Sequence, residues 1–115
     1  MKEYDVGIIG GGIVGCAIAR ELSKYKLRIA VFEEKADIGA GATRGNGGFI
    51  HCGYDPEPGT LKAKLNVQGS AMYPALAEEL GFPYQKTGAM VVGFDERDLS
   101  YIEKLYEKGQ KNGVP

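Results

Sequence analysis

"YDVGIIGGGIVGCAIARELSKYKLRIAVFEE", residues 4–34, decides the fold. Its first seven residues are a short, β-branched apolar run ending in glycines, which reads as a buried strand. From Ile13 to about Lys24 the apolar residues Val14, Ala17, Ile18 and Leu22 recur at helical spacing. "LRIAVFEE", residues 27–34, is a second apolar strand that ends in acids. Strand, helix and strand within about 30 residues make a βαβ unit, whose strands lie parallel with a right-handed crossover.

Between the first strand and the helix, Gly10, Gly12 and Gly15 stand in G-x-G-x-x-G spacing. Gly10 permits a tight turn, Gly12 lets a pyrophosphate approach the backbone, and Gly15 lets helix and strand pack closely. The amides at the helix start then face the anion, helped by the helix dipole. The triplet alone is a weak signal. Here it follows a strand, opens a helix and precedes an acid at the end of the second strand, which is the arrangement of a dinucleotide site. That acid, Glu33, is expected to hydrogen-bond a ribose hydroxyl, and Glu34 is the alternative one register step away. The competing reading is a plain turn followed by solvated acids. Cys16, just inside the helix, reads as a small packing residue. Lys26 occupies the place where such helices often carry a C-terminal glycine; if it takes the left-handed conformation, the cost is about 1 kcal/mol.

Beyond the βαβ unit, residues 39–59 form a glycine-rich loop. It holds the chain's one histidine, His51, beside Cys52 and near Gly47, Gly48 and Gly53. Thr60 reads as the N-cap of a helix to about Leu80, with Leu61, Leu65, Met72, Leu76 and Leu80 available to pack. Pro74 is expected to kink or split it. "YQKTGAMVVGF", residues 84–94, reads as a strand, and Asp95 as the cap of a last amphipathic helix carrying Leu99, Ile102, Leu105 and Tyr106. That helix ends near Asn112-Gly113, and its Glu107–Lys111 pair has the favourable order and spacing.

The composition of the 115 residues, 43% hydrophobic and 25% charged, excludes disorder. A net charge of −1 gives no reason to expect nucleic acid or an anionic membrane as partner. No apolar run reaches the ~20 residues of a membrane span, and the first residues lack a signal peptide's pattern. Two cysteines are too few for a disulfide scaffold, which fits a cytoplasmic location. No metal site is expected.

The glycine triplet does not separate NAD from FAD, but the long segment after Glu33 stands where a nicotinamide enzyme usually has a short turn and another helix. In order, "VGIIGGGIVGCAIARELSKY", "VFEE", "ATRGNGGFIHCGYDPEPGTLKAKL" and "LGFPYQKTGAMVVGF" resemble the FAD-dependent glycerol-3-phosphate dehydrogenases and oxidases. These belong to the D-amino-acid-oxidase-like flavoenzymes. L-2-hydroxyglutarate oxidases carry a similar loop pattern and are the nearest rival. The resemblance implies FAD on a Rossmann-like α/β unit of the glutathione-reductase type. Gly10, Gly12 and Gly15 would hold the pyrophosphate, Glu33 the adenosine ribose, and Thr43 and Arg44 would reach the pyrophosphate. Asn46, Gly47 and Gly48 would run past the isoalloxazine. His51 would face the substrate as the base that takes the hydroxyl proton, or else only hydrogen-bond the loop or flavin. The flavin carries the redox chemistry and the protein supplies position and the base.

The resemblance further implies an incomplete domain: an FAD-binding unit and flavin loop over residues 1–59, then a helix, strand and helix over 60–115 that begin a substrate domain. Its partners would be glycerol 3-phosphate, the remainder of the flavoprotein chain, and a quinone or peripheral membrane contact in the parent protein. A non-catalytic nucleotide-binding module and an NAD-dependent dehydrogenase half are the readings from other classes.

Overall fold

β1 (Val6–Ile9), α1 (Ile13–Leu22) and β2 (Ile29–Phe32) form the expected βαβ unit in a computed structural model that describes residues 3–114. The strands pair in parallel with Val6 opposite Ile29 and Ile9 opposite Phe32. An ion pair pins the register at the strand starts: Arg28 donates from its guanidinium to both oxygens of Asp5 at 2.8 and 3.1 Å, and from its backbone N–H at 2.8 Å. The Arg28 guanidinium beside it holds the Asp5 carboxyl below the usual carboxylate range. α1 packs on one face of the sheet. Ile8, on that face, is buried, while Ile9 on the other is 93% exposed. β1 is thus half-covered rather than buried on both sides, because no element of this unit lies on its second face.

α1 stops at Leu22, with Ser23 following in right-handed conformation and its N–H bonded to Ala19 O. No residue other than glycine has positive φ among the described residues, so Lys26 does not take the left-handed conformation and carries no such cost. The chain leaves the helix through a bonded turn, with Lys24 and Tyr25 donating to the carbonyls of Glu21 and Leu22, and needs no left-handed residue at 26.

By its contacts the chain divides into two units, Met1–Phe49 and Ile50–Pro115. Residues 50–59 group by their contacts with the second unit, to which Asn112 ties them by donating to the carbonyls of Gly53 and Pro56. That unit holds α2 (Leu61–Leu80) and α3 (Glu96–Asn112), which pack on each other. Thr60 caps α2 as expected, its hydroxyl accepting from Ala63 N at 3.2 Å, and Gly81 ends it at φ +69°. Of the kink or split expected at Pro74, the split does not occur: α2 is one helix from Leu61 to Leu80 with Pro74 inside it. Lacking an N–H, Pro74 removes one intrahelical bond from an otherwise continuous ladder. Asp95 caps α3 by accepting from Arg97 N at 2.8 Å, and Gly113 closes it at φ +76°. The strand expected over residues 84–94 does not form; their backbone pairs with neither β1 nor β2, the strands of the sheet among the described residues. Among the described residues no helix is long and apolar enough to cross a membrane.

Candidate functional site

The turn from β1 into α1 is built so that side chains are excluded. Gly10 sits at φ +98° and donates its N–H to Phe32 O at 2.7 Å, which fixes the turn to the end of β2. Gly15 lies one helical turn on, buried, where an added Cβ would stand 2.0 Å from Gly10 O. No backbone adjustment of a few tenths of an ångström would relieve that, so the glycine is obligatory for close approach of helix and turn. At Gly12 a Cβ would come within 3.2 Å of Thr43 Oγ1.

The first-turn amides of a helix have no intrahelical acceptors. Gly12 cannot cap them, and no acid stands in the first turn of α1. α3 differs, with Glu96 and Asp98 in its first turn. The start of α1 therefore keeps its positive potential, and it suits an anion. Thr43 reaches it from the following loop, its hydroxyl accepting from Ile13 N at 2.9 Å.

Glu33 closes the other side. Its Oε2 accepts from Gly11 N at 2.7 Å and its Oε1 from Lys35 N at 3.0 Å. These two amides, Gly11's foremost, hold its carboxyl below the usual carboxylate range. Glu34, the alternative, is exposed. The sequence reading left out Gly11, which is buried and has room for nothing larger: a Cβ would meet Ile38 Cγ2 at 3.0 Å and Glu33 Oε2 at 3.2 Å. Its place as the middle of three consecutive glycines was the available signal.

Along the loop, Arg44 pairs with Asp37 at 3.0 Å, both largely exposed. Asn46 folds its segment on itself, donating to the carbonyls of Ala42 and Thr43 at 3.1 and 2.7 Å and accepting from Gly48 N at 2.7 Å. Gly48 is left-handed at φ +69°, and Gly47 is exposed. Gly10, Gly11, Gly12, Gly15, Glu33 and Thr43 thus converge on the start of α1. Arg44, Asn46, Gly47 and Gly48 lie on the loop leading away from it.

His51 belongs to the second unit. It is exposed and lines a hollow of about 160 Å³ with Gly53 and Pro56 of its own loop and Lys62 and Asn66 of α2. Gly53 is buried at φ +110°, and a Cβ there would stand 2.5 Å from Val67 Cγ2. Lys62 and Asn66 were not singled out in the sequence. Their spacing of four residues on α2 was a signal only once His51 was known to face that helix. Cys16 and Cys52 are free thiols, and Cys16 donates to Gly11 O at 3.4 Å. Among the described residues no cluster of three or more histidine, cysteine or acidic side chains could hold a metal ion.

A family model described as FAD dependent oxidoreductase matches residues 5–115. The chain is 49% identical over 112 residues to a glycerol 3-phosphate dehydrogenase of Caloramator mitchellensis, covering 97% of this chain and 23% of that protein. It is 43% identical over 115 residues to a mitochondrial L-2-hydroxyglutarate dehydrogenase of Nematostella vectensis, covering 98% of this chain and 25% of that one. Dithionite-reduced L-alpha-glycerophosphate oxidase from Mycoplasma pneumoniae, solved with FAD bound, aligns at a TM-score of 0.90 and 36% identity over 100% of this chain and 30% of its own. The chain spans less than a third of the length of each of these proteins.

Proposed function

Because the chain belongs to the FAD dependent oxidoreductase family, we propose that it supplies the flavin-binding part of an enzyme that oxidises sn-glycerol 3-phosphate to dihydroxyacetone phosphate. The observation that supports this most directly is the side-chain-free start of α1, closed by Glu33 on one side and Thr43 on the other. It fits a dinucleotide: Gly10, Gly12 and Gly15 leave the pyrophosphate room beside the first turn of α1, where no side chain of the helix itself caps the amides. Glu33 has carboxylate lone pairs beyond those taken by Gly11 and Lys35, and accepts the ribose hydroxyls on them. Arg44 is the charge partner for the pyrophosphate, and Asp37 holds it until then. Asn46 shapes the loop so that Gly47 and Gly48 present bare backbone to the flat ring. Bound FAD supplies the acceptor for the hydride that leaves the substrate's C2. His51 takes the proton of the C2 hydroxyl, a task that imidazole performs near neutrality. The rest of the flavoprotein chain completes the substrate pocket, and the free thiols suit the reducing cytoplasm.

Purified as the complete gene product, the protein should show a flavin absorption spectrum that bleaches on anaerobic addition of sn-glycerol 3-phosphate. Bleaching by L-2-hydroxyglutarate alone would transfer the assignment to that substrate, which the similarity to the Nematostella vectensis protein makes the second reading. A colourless protein would overturn the flavin assignment altogether.

A further inference from the structure

We propose that Asn112 is a positioning residue for His51, acting through the loop that carries it. Asn112 is the last residue of α3, and its Nδ2 donates to two carbonyls of that loop, Gly53 O at 2.9 Å and Pro56 O at 2.8 Å. One amide group thereby ties two points of a segment that forms no helix or strand of its own. Gly53 stands two residues from His51 along the chain, and both line the same hollow, as does Pro56.

The grip is backed on every side. Gly53 is wedged against Val67 of α2 and Val114, with no space for a Cβ. Tyr54 Cβ lies against Gly109 of α3, where a Cβ would come within 3.3 Å. Lys108 of α3 reaches Glu57 at 2.9 Å. Beneath Asn112, the helix end is itself fixed, Val114 N donating to Gly109 O at 2.9 Å and Gly113 N to Gln110 O at 3.1 Å, a Schellman pair. The donor is therefore anchored before it holds the loop. A base must lie within hydrogen-bond reach of its proton, and a displacement of about 1 Å is enough to cost roughly 10²-fold in rate.

The proposal rests on His51 as the base. It is tested by rapid-mixing measurement of flavin reduction by saturating sn-glycerol 3-phosphate in the flavin-loaded full-length protein. Asn112→Ala should slow reduction by about 10- to 100-fold. In a His51→Asn background the same substitution should cost less than about threefold, because a base that is absent cannot be misplaced. Asn112→Asp keeps the side chain's shape and replaces the donor by an acceptor. It should be as slow as Asn112→Ala, and it serves if Asn112→Ala does not fold. Equal losses from Asn112→Ala with and without His51 would overturn the positioning role and leave the base reading intact. A His51→Asn protein as fast as wild type would overturn both.

Discussion

Glu33 spends both carboxylate oxygens on backbone amides, and this gives the cradle a dependence on pH whose sign can be worked out. Its pKa is lowered in the folded chain, chiefly by Gly11 N–H and next by Lys35 N–H. A depressed pKa means that the stabilisation is present above the unfolded carboxylate's pKa and is lost as pH falls through the folded value. Glu33→Gln in the full-length flavoprotein, which removes the charge from the acceptor proposed for the ribose as well as from the bonds to the Gly11 and Lys35 amides, should weaken FAD retention by about 10- to 100-fold at neutral pH. The gap between variant and wild type should close as pH drops below the carboxylate range. Flavin content after dialysis at stepped pH reads this directly, and exposed Glu34→Gln should match wild type throughout. Glu33 could be read from sequence because strand alternation and distance from the glycines select it. What its carboxylate does could not. The bond to Gly11 N–H depends on how the turn folds back over β2, and no periodicity encodes that. Asn112 was equally hidden: an asparagine before a glycine reads as a helix end, while its partners lie far earlier in the chain.

At the scale of elements, one substitution has opposite signs at two helical glycines. Alanine in a helix interior is favoured over glycine by about 1 kcal/mol. At Gly69 of α2 nothing lies within 4 Å of an added Cβ, so Gly69→Ala should stabilise by about 0.5–1 kcal/mol. At Gly15 of α1 the Cβ would drive into Gly10 O at 2.0 Å, and overpacking of about 1–3 kcal/mol or more outweighs the propensity gain. Gly15→Ala should melt earlier and release flavin, and thermal melts with flavin content would show both signs. The three helices and two strands that formed were legible because each carries its own local signal: caps at Thr60 and Asp95 with glycine stops at Gly81 and Gly113 for α2 and α3, and apolar runs and helical spacing around the glycine turn for β1, α1 and β2. Residues 84–94 failed as a strand for the converse reason. β-propensity supplies side chains that fit a sheet, but the ladder needs a partner that local sequence does not provide.

Across the whole molecule, apolar side chains outnumber the places to bury them. Among the described residues, Ile8, Ala63, Ala77 and Leu105 are the buried hydrophobic ones, while Phe94 stands 93% exposed and Met90 and Phe49 86%. Both strands of a two-stranded sheet also have one unpaired edge. The isolated 115-residue chain should therefore show no sharp two-state melt as a monomer, or should associate through these surfaces. Calorimetry with sedimentation would decide, and a sharp monomeric transition would favour a stand-alone module. Composition could not reveal this, because the overall hydrophobic fraction is that of a well-packed protein.

The amide grip of Asn112 also orders events in time. The bonds that define the cradle join residues 22 to 30 apart, Gly11 to Glu33 and Ile13 to Thr43. Those that hold the histidine loop join residues 56 and 59 apart. A ribosome making the chain at about 5–20 residues per second releases everything the cradle needs well before it has made residue 112. Neither bond to the loop can exist until then, so every residue of the cradle is present in the nascent chain before the donor that secures the histidine loop has been made.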